Sequence, residues 1–119
     1  MSSQETKALI AQALSRLSDE VPALRQLTLV VKLELPARGG AAPIWRVEVP
    51  GPKVDHDPAA DSRLDVSIPR SQFNELAREG TVRDWVEAYD HGHVKVSGDP
   101  GVVKLLGNVI VRQQARARA

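Results

Sequence analysis

Cysteine is absent from the 119 residues. Disulfides, thiolate metal sites and thiol nucleophiles are excluded with it, which leaves carboxylates and three histidines as the conventional metal ligands. Net charge is nearly absent as well. Sixteen basic residues against 15 acidic ones leave +1, without the strong basic bias of a dedicated nucleic-acid binder. With 42% apolar residues, the chain also lacks the low hydrophobicity and high charge of a disordered protein. No apolar run approaches the roughly 20 residues that cross a bilayer. The first residues show no basic segment followed by an apolar stretch, so the expected localisation is cytoplasmic. Repeats are missing too. This length suits one domain with one core, expected over residues 1–112, with a basic, disordered tail at 113–119.

What is present is periodicity. Residues 4–17 contain neither Pro nor Gly, and Ile10, Leu14, Leu17 and Val21 recur at helical spacing until Pro22 limits the helix. Leu27, Leu29, Val31, Leu33 and Leu35 then alternate with mostly polar residues, as in a strand with one buried face. A glycine-containing stretch at 37–42 precedes a second strand carrying Trp45, Val47 and Val49, so the pair reads as a hairpin. Lys53, Val54 and Asp55 suggest a short edge strand, and Leu64, Val66 and Ile68 another strand. Pro69 opens a helix with Phe73, Leu76 and Ala77 on one face, and Gly80 is expected to stop it in the left-handed conformation. Val82, Trp85, Val86 and Tyr89 form the stripe of a second short helix ending at Gly92. Val94 and Val96 make a last strand, and Asp99–Pro100 is a helix-start pair. The final helix has an apolar face of Val102, Val103, Leu105, Leu106, Val109 and Ile110, broad enough to predict deep burial. This order predicts an α+β fold: a mainly antiparallel sheet of about five strands covered on one face by helices.

Chemistry is harder to find. Asp55, His56, Asp57 and Asp61 form an oxygen-and-nitrogen cluster, but adjacent loop residues converge on one ion only with special geometry, so a solvated acidic loop is the expectation. His91 and His93 would share a face only in a strand, and Gly92 between them argues for a turn. Ser67, Ser71 and Ser97 lack a Gly-x-Ser-x-Gly setting. The helix start after Ser97 lacks the lysine and glycines of a nucleotide loop, and Asp99 would repel an anion there. Arg112, Arg116 and Arg118 have no interleaved aromatic residue to stack on bases, so they read as a solvated tail with no specific nucleic-acid role. Phe73, Trp85, Tyr89 and Leu106 at helical spacing read as core on pattern alone.

The order and spacing of residues 65–106 resemble the sterol carrier protein type 2 family. The resemblance lies in an alternating strand, a Phe-bearing helix ending in Leu76, Ala77 and Gly80, and an amphipathic helix leading to Gly92, His93, Val94, Lys95, Val96, Ser97, Gly98 and Asp99. A helix with Leu105 and Leu106 follows, and Trp45 in the upstream hairpin agrees more loosely. The resemblance implies an apolar tunnel between sheet and helices that binds acyl chains, acyl-CoA, sterols or other lipids without changing them, with no catalytic residue, metal or cofactor. By position, Phe73, Leu76, Trp85, Val86, Tyr89, Val103 and Leu106 would line it, with Tyr89, Arg70 or His93 orienting a polar head. Contact with membranes would be transient at most. A dry cavity of about 300 Å³ would cost about 7 kcal/mol against a total stability of about 6–18 kcal/mol, so such a tunnel must hold ligand, hold water or collapse. The expected function is a non-enzymatic lipid-binding or carrier domain. The alternative is a protein-interaction or regulatory domain with a filled core, forming a homodimer or pairing with another chain through its outer sheet face or an edge strand. A third reading, an enzyme using Asp55, His56 and Asp61, requires their loop to fold inward.

Overall fold

The first helix, α1 (Ser3–Glu20), buries Leu9, Ile10 and Ala13 and ends before Pro22, where a short 3-10 turn (Pro22–Gln26) carries the chain into the sheet. The computed structural model describes residues 3–36, 43–49, 51–56 and 58–118; the expected hairpin loop at 37–42, Pro50 and Asp57 lie outside them. The strands are β1 (Leu29–Glu34), β2 (Ile44–Val49), β3 (Lys53–His56), β4 (Leu64–Ser67) and β5 (Lys95–Gly98). Between β4 and β5 come α2 (Arg70–Glu79) and α3 (Val82–Asp90), and α4 (Pro100–Arg118) closes the chain. This is the expected α+β architecture.

Spatial strand order is β3-β2-β1-β4-β5. Neighbours run antiparallel except β1 and β4, which are parallel, so the sheet is mixed where a mainly antiparallel one was expected. The cause is the connection after β3. It returns past β2 and β1, and its Asp61 takes a two-pronged bond from Arg46, whose Nε and Nη2 donate at 3.0 and 2.7 Å. Arg63 N–H then donates to the Val30 carbonyl at 3.0 Å, which starts β4 beside β1 in β1's own direction.

Alternation decides the two faces. Register places Val31, Leu33, Trp45, Val47, Val54, Leu64, Val66 and Val96 on one side and Lys32, Arg46, Glu48, Asp55, Asp65 and Lys95 on the other. The apolar side meets α1 and α2 in one continuous core with Trp45, Phe73, Leu35 and Ile68 among its most buried side chains. Polar bonds also tie α1 to α2. Arg70 donates to the hydroxyl of buried Thr6 at 2.7 Å, and Arg16 donates to the Arg78 carbonyl.

Helix ends follow the sequence with two exceptions. Thr81 and Asp84 form a reciprocal capping box on α3, and Glu20 accepts the Val82 N–H at 2.8 Å. Gly92, at φ 82°, takes the left-handed conformation expected of Gly80. Gly80 is extended at φ −69° and is glycine for another reason: a Cβ there would lie 2.6 Å from the Leu76 carbonyl oxygen. The backbone of α4 stays helical to Arg118, through the stretch beyond 112 where fraying was expected. Cations near a helix C-terminus complement its dipole, and alanine is the best helix former.

Candidate functional site

Beyond α3 the core loses its cover. Val66 and Val96 face each other across the β4–β5 pair and, with Trp85, are only partly buried at the rim of the core cluster. The turn out of α3 is closed by the His93 N–H donating to the Ala88 carbonyl at 2.9 Å and leads into β5. Helix α4 packs chiefly along β5. The deep burial expected of α4 is not observed. Val102 is buried; Val103, Leu106, Val109 and Ile110 are half-buried; Leu105 and Val111 are 48% and 64% exposed. A four-residue edge strand is too short to cover a 19-residue helix, which runs about 28 Å. The half-buried apolar residues of α3 and α4, with Val66 and Val96, are neither sealed in the core nor fully in water, and together are called the seam.

The seven residues predicted to line a ligand divide. Phe73 (2% exposed) and Leu76 (8%) are packed within the core. Trp85 meets Phe73 edge to face, with ring centroids 6.4 Å apart. Trp85, Val86, Val103 and Leu106 are half-buried along the seam, and Tyr89 is exposed. Val66 and Val96 belong to the seam although sequence pattern marked them only as strand residues. Two open depressions lie on the α1 side. One, of about 400 Å³, is lined by Leu14, Ser15, Ser18, Arg25, Gly51 and Pro52. The other, of about 220 Å³, is lined by Gln4, Lys7, Trp45 and His56. None of the seven residues lines either.

The polar candidates are spoken for or dispersed. Asp61 is bound by Arg46, Asp55 lies on the outer sheet face, and the His56 ring packs against Trp45 on the inner face. No group of three or more potential metal ligands occurs among the described residues. His91 and His93 sit in the turn after α3 with ring centroids 6.3 Å apart. Of the residues considered for a ligand's polar head, Arg70 bonds Thr6 and Asn74 between α1 and α2, and His93 is exposed.

Asp99 acts at the joint into α4. Its Oδ1 accepts the Gly101 N–H at 2.9 Å, and its Oδ2 accepts from Arg63 at 2.9 Å. The Arg63 bond first, then the Gly101 N–H, hold its carboxyl below the usual aspartate range. Arg46 does the same for Asp61. A depressed carboxyl contributes stability that is fully present above its unfolded value, near 3.9, and is lost as pH falls through its folded value. Acid denaturation below about pH 4 is therefore expected to be shallower in Asp61→Asn/Asp99→Asn than in the parent; equal acid limbs in circular dichroism would contradict this. A second expectation concerns Gly107, in mid-α4, where a Cβ meets nothing within 4 Å. Gly107→Ala is expected to stabilise the protein by about 0.5–1 kcal/mol, read in a melting curve.

No protein-family model matches the sequence, and no curated protein matches it. Solved structures do. The crystal structure of sterol carrier protein 2 like 2 from Aedes aegypti superposes with a TM-score of 0.58 at 22% identity, over 87% of this chain and 98% of that one. The solution structure of the palmitated form of that mosquito protein gives 0.58 at 21% identity, over 83% and 91%. The sterol carrier protein domain 2 of Helicoverpa armigera gives 0.57 at 15% identity, over 92% and 85%. The likeness covers nearly the whole length of these small domains, and the chain has the sterol carrier protein 2 fold.

Proposed function

We propose that the protein is a non-enzymatic lipid-binding or carrier domain that takes an acyl chain, a sterol or a similar apolar ligand along the seam of α3, β5 and α4. One observation carries the reading: Trp85, Val86, Val103, Leu106, Val109 and Ile110 are all half-buried on α3 and α4, and Val66 and Val96 are only partly buried at the rim of the core. An apolar ligand laid there would remove both its own surface and theirs from water, at about 25 cal/mol per Å². The likeness to a structure described as palmitated supports the ligand class. The reading needs no metal, cofactor or covalent step.

Each methylene buried contributes about 0.8 kcal/mol, so affinity should rise with acyl chain length. A ligand at a hundred times its Kd adds about 2.7 kcal/mol, a melting shift of the order of 10 °C for a domain of this size. Thermal shift and native mass spectrometry with octanoate, palmitate, palmitoyl-CoA and cholesterol test this. The expected result is a bound mass and a shift that grows from octanoate to palmitate; no mass and no shift with any of them would defeat the proposal. The alternative, an interaction domain with a filled core, is favoured by the close packing of Phe73 and Leu76. It requires the opposite outcome, together with a homodimer in light scattering or pairing with another chain.

A further inference from the structure

We infer that the outward face of α4 is a docking surface for anionic phospholipid bilayers. The 19 residues of this helix contain four cations, Lys104, Arg112, Arg116 and Arg118, and no aspartate or glutamate. The remainder of the chain then holds 12 basic and 15 acidic residues, a charge of −3. A protein with a near-neutral total thus has one basic end and an acidic body, and a negative surface attracts the first while repelling the second. That field orients the molecule with α4 toward the lipid.

Apolar exposure is concentrated on the same element. Of the three exposed large hydrophobic residues among the described ones, Leu105 and Val111 are on α4. Each is next in sequence to an exposed cation, Lys104 beside Leu105 and Arg112 beside Val111. Residues seven apart lie nearly in line along a helix, so Lys104 and Val111 share one row of the outward face and Leu105 and Arg112 share the adjacent row. Each row offers one side chain to the acyl boundary and one to the phosphates, the composition of an interfacial helix. The half-buried face with Val103, Leu106 and Ile110 lies on the other side of the helix, so docking and the seam do not compete for residues.

Other occupants fit less well. Two copies meeting through this face would bring like charges together, and the helix has no aromatic residue on which a base would stack. Helix-dipole stabilisation accounts for cations in the last turn but not for Lys104 near the start, nor for the exposed Leu105 and Val111. The inference does not depend on what the seam binds.

The test is flotation of the full chain with phosphatidylcholine vesicles, with and without phosphatidylserine, across a salt series. The expected result is binding to the phosphatidylserine vesicles alone, weakening as salt screens the attraction. Each cation removed lowers partitioning roughly fivefold, so Lys104→Glu/Arg112→Glu should lower it at least tenfold, and Leu105→Ser/Val111→Ser should also lower it at unchanged melting temperature. Palmitate titration without vesicles should be unaffected by either pair, which separates failure here from failure of the ligand reading. Absence of vesicle binding, equal binding to neutral vesicles, or salt-independent binding by the parent would overturn the inference. So would finding that the charge pair instead abolishes self-association or the binding of a single-stranded RNA oligonucleotide.

Discussion

Phe73→Ala should remove about 3–5 kcal/mol of folding stability, the range for truncating a buried phenylalanine. The ring is 2% exposed, within the core cluster and edge to face with Trp85. Its loss takes away transfer free energy and leaves a hole that neighbours held by α1, α2 and the sheet cannot all close. Against a total of about 6–18 kcal/mol for a chain of this length, the variant would unfold at far lower urea concentration or fail to fold at ambient temperature. The measurement also separates two roles for one residue. A side chain lining a solvated ligand tunnel would cost under about 1 kcal/mol when truncated and would change ligand affinity instead. A small stability loss with weakened palmitate binding would therefore move Phe73 from the core to the ligand surface.

Gly98→Ala is the second large effect, expected at about 3 kcal/mol or more. Gly98 has φ 124°, a conformation that side-chain-bearing residues adopt only under strain. A Cβ there would also stand 2.6 Å from the Arg63 carbonyl oxygen and 3.1 Å from the Leu64 Cα, both backbone atoms that β4 holds in place. To relieve the clash, β5 must move off β4. That move breaks the Asp99 N–H bond to the Arg63 carbonyl, 2.9 Å long, and the Arg63–Asp99 ion pair that sets the start of α4. The readout is a lowered melting temperature together with faster tryptic cleavage after Lys104 and Arg112. A variant as stable as the parent would show that the β5–α4 joint is not fixed by close backbone approach. Gly107→Ala, beyond the joint in α4 and with open space around it, has the opposite expected sign.

The contrast between these glycines also marks what periodicity resolves and what it does not. Alternation at Leu29–Val31–Leu33 and Trp45–Val47–Val49 fixed strands and faces, because a half-buried strand has no other way to be written. Helical spacing likewise located α2 and α3, and the Asp99–Pro100 pair located the start of α4. The parallel β1–β4 pairing was not legible, because it depends on where residues 58–63 cross the sheet and on Arg46 gripping Asp61 fifteen residues away. The Arg70–Thr6 bond, spanning 64 positions, was hidden for the same reason. The capping box at Thr81 and Asp84 has a Thr-x-x-Asp spacing, a local helix-start pattern that needs no distant partner.

The candidate site was only half legible. An apolar stripe says that a helix must be covered, not by what. The stripe of α2 is covered by protein, so Phe73 and Leu76 are core. The broader stripe of α4 lies over a four-residue strand and stays half open. That difference is set by the length of the neighbouring strand, which the residues of α4 do not record. Val66 and Val96 entered the site only through register, since nothing in their own alternation distinguishes a strand under a helix from a strand at the rim.

The most direct measurement of lipid binding at this seam is a palmitate titration followed by methyl resonances of Val and Leu together with the indole signal of Trp85. Shifts confined to Val66, Trp85, Val86, Val96, Val103 and Leu106, saturating at one ligand per chain, are the expected result. Unmoved seam resonances would contradict it, as would shifts confined to the depression at Leu14 and Arg25.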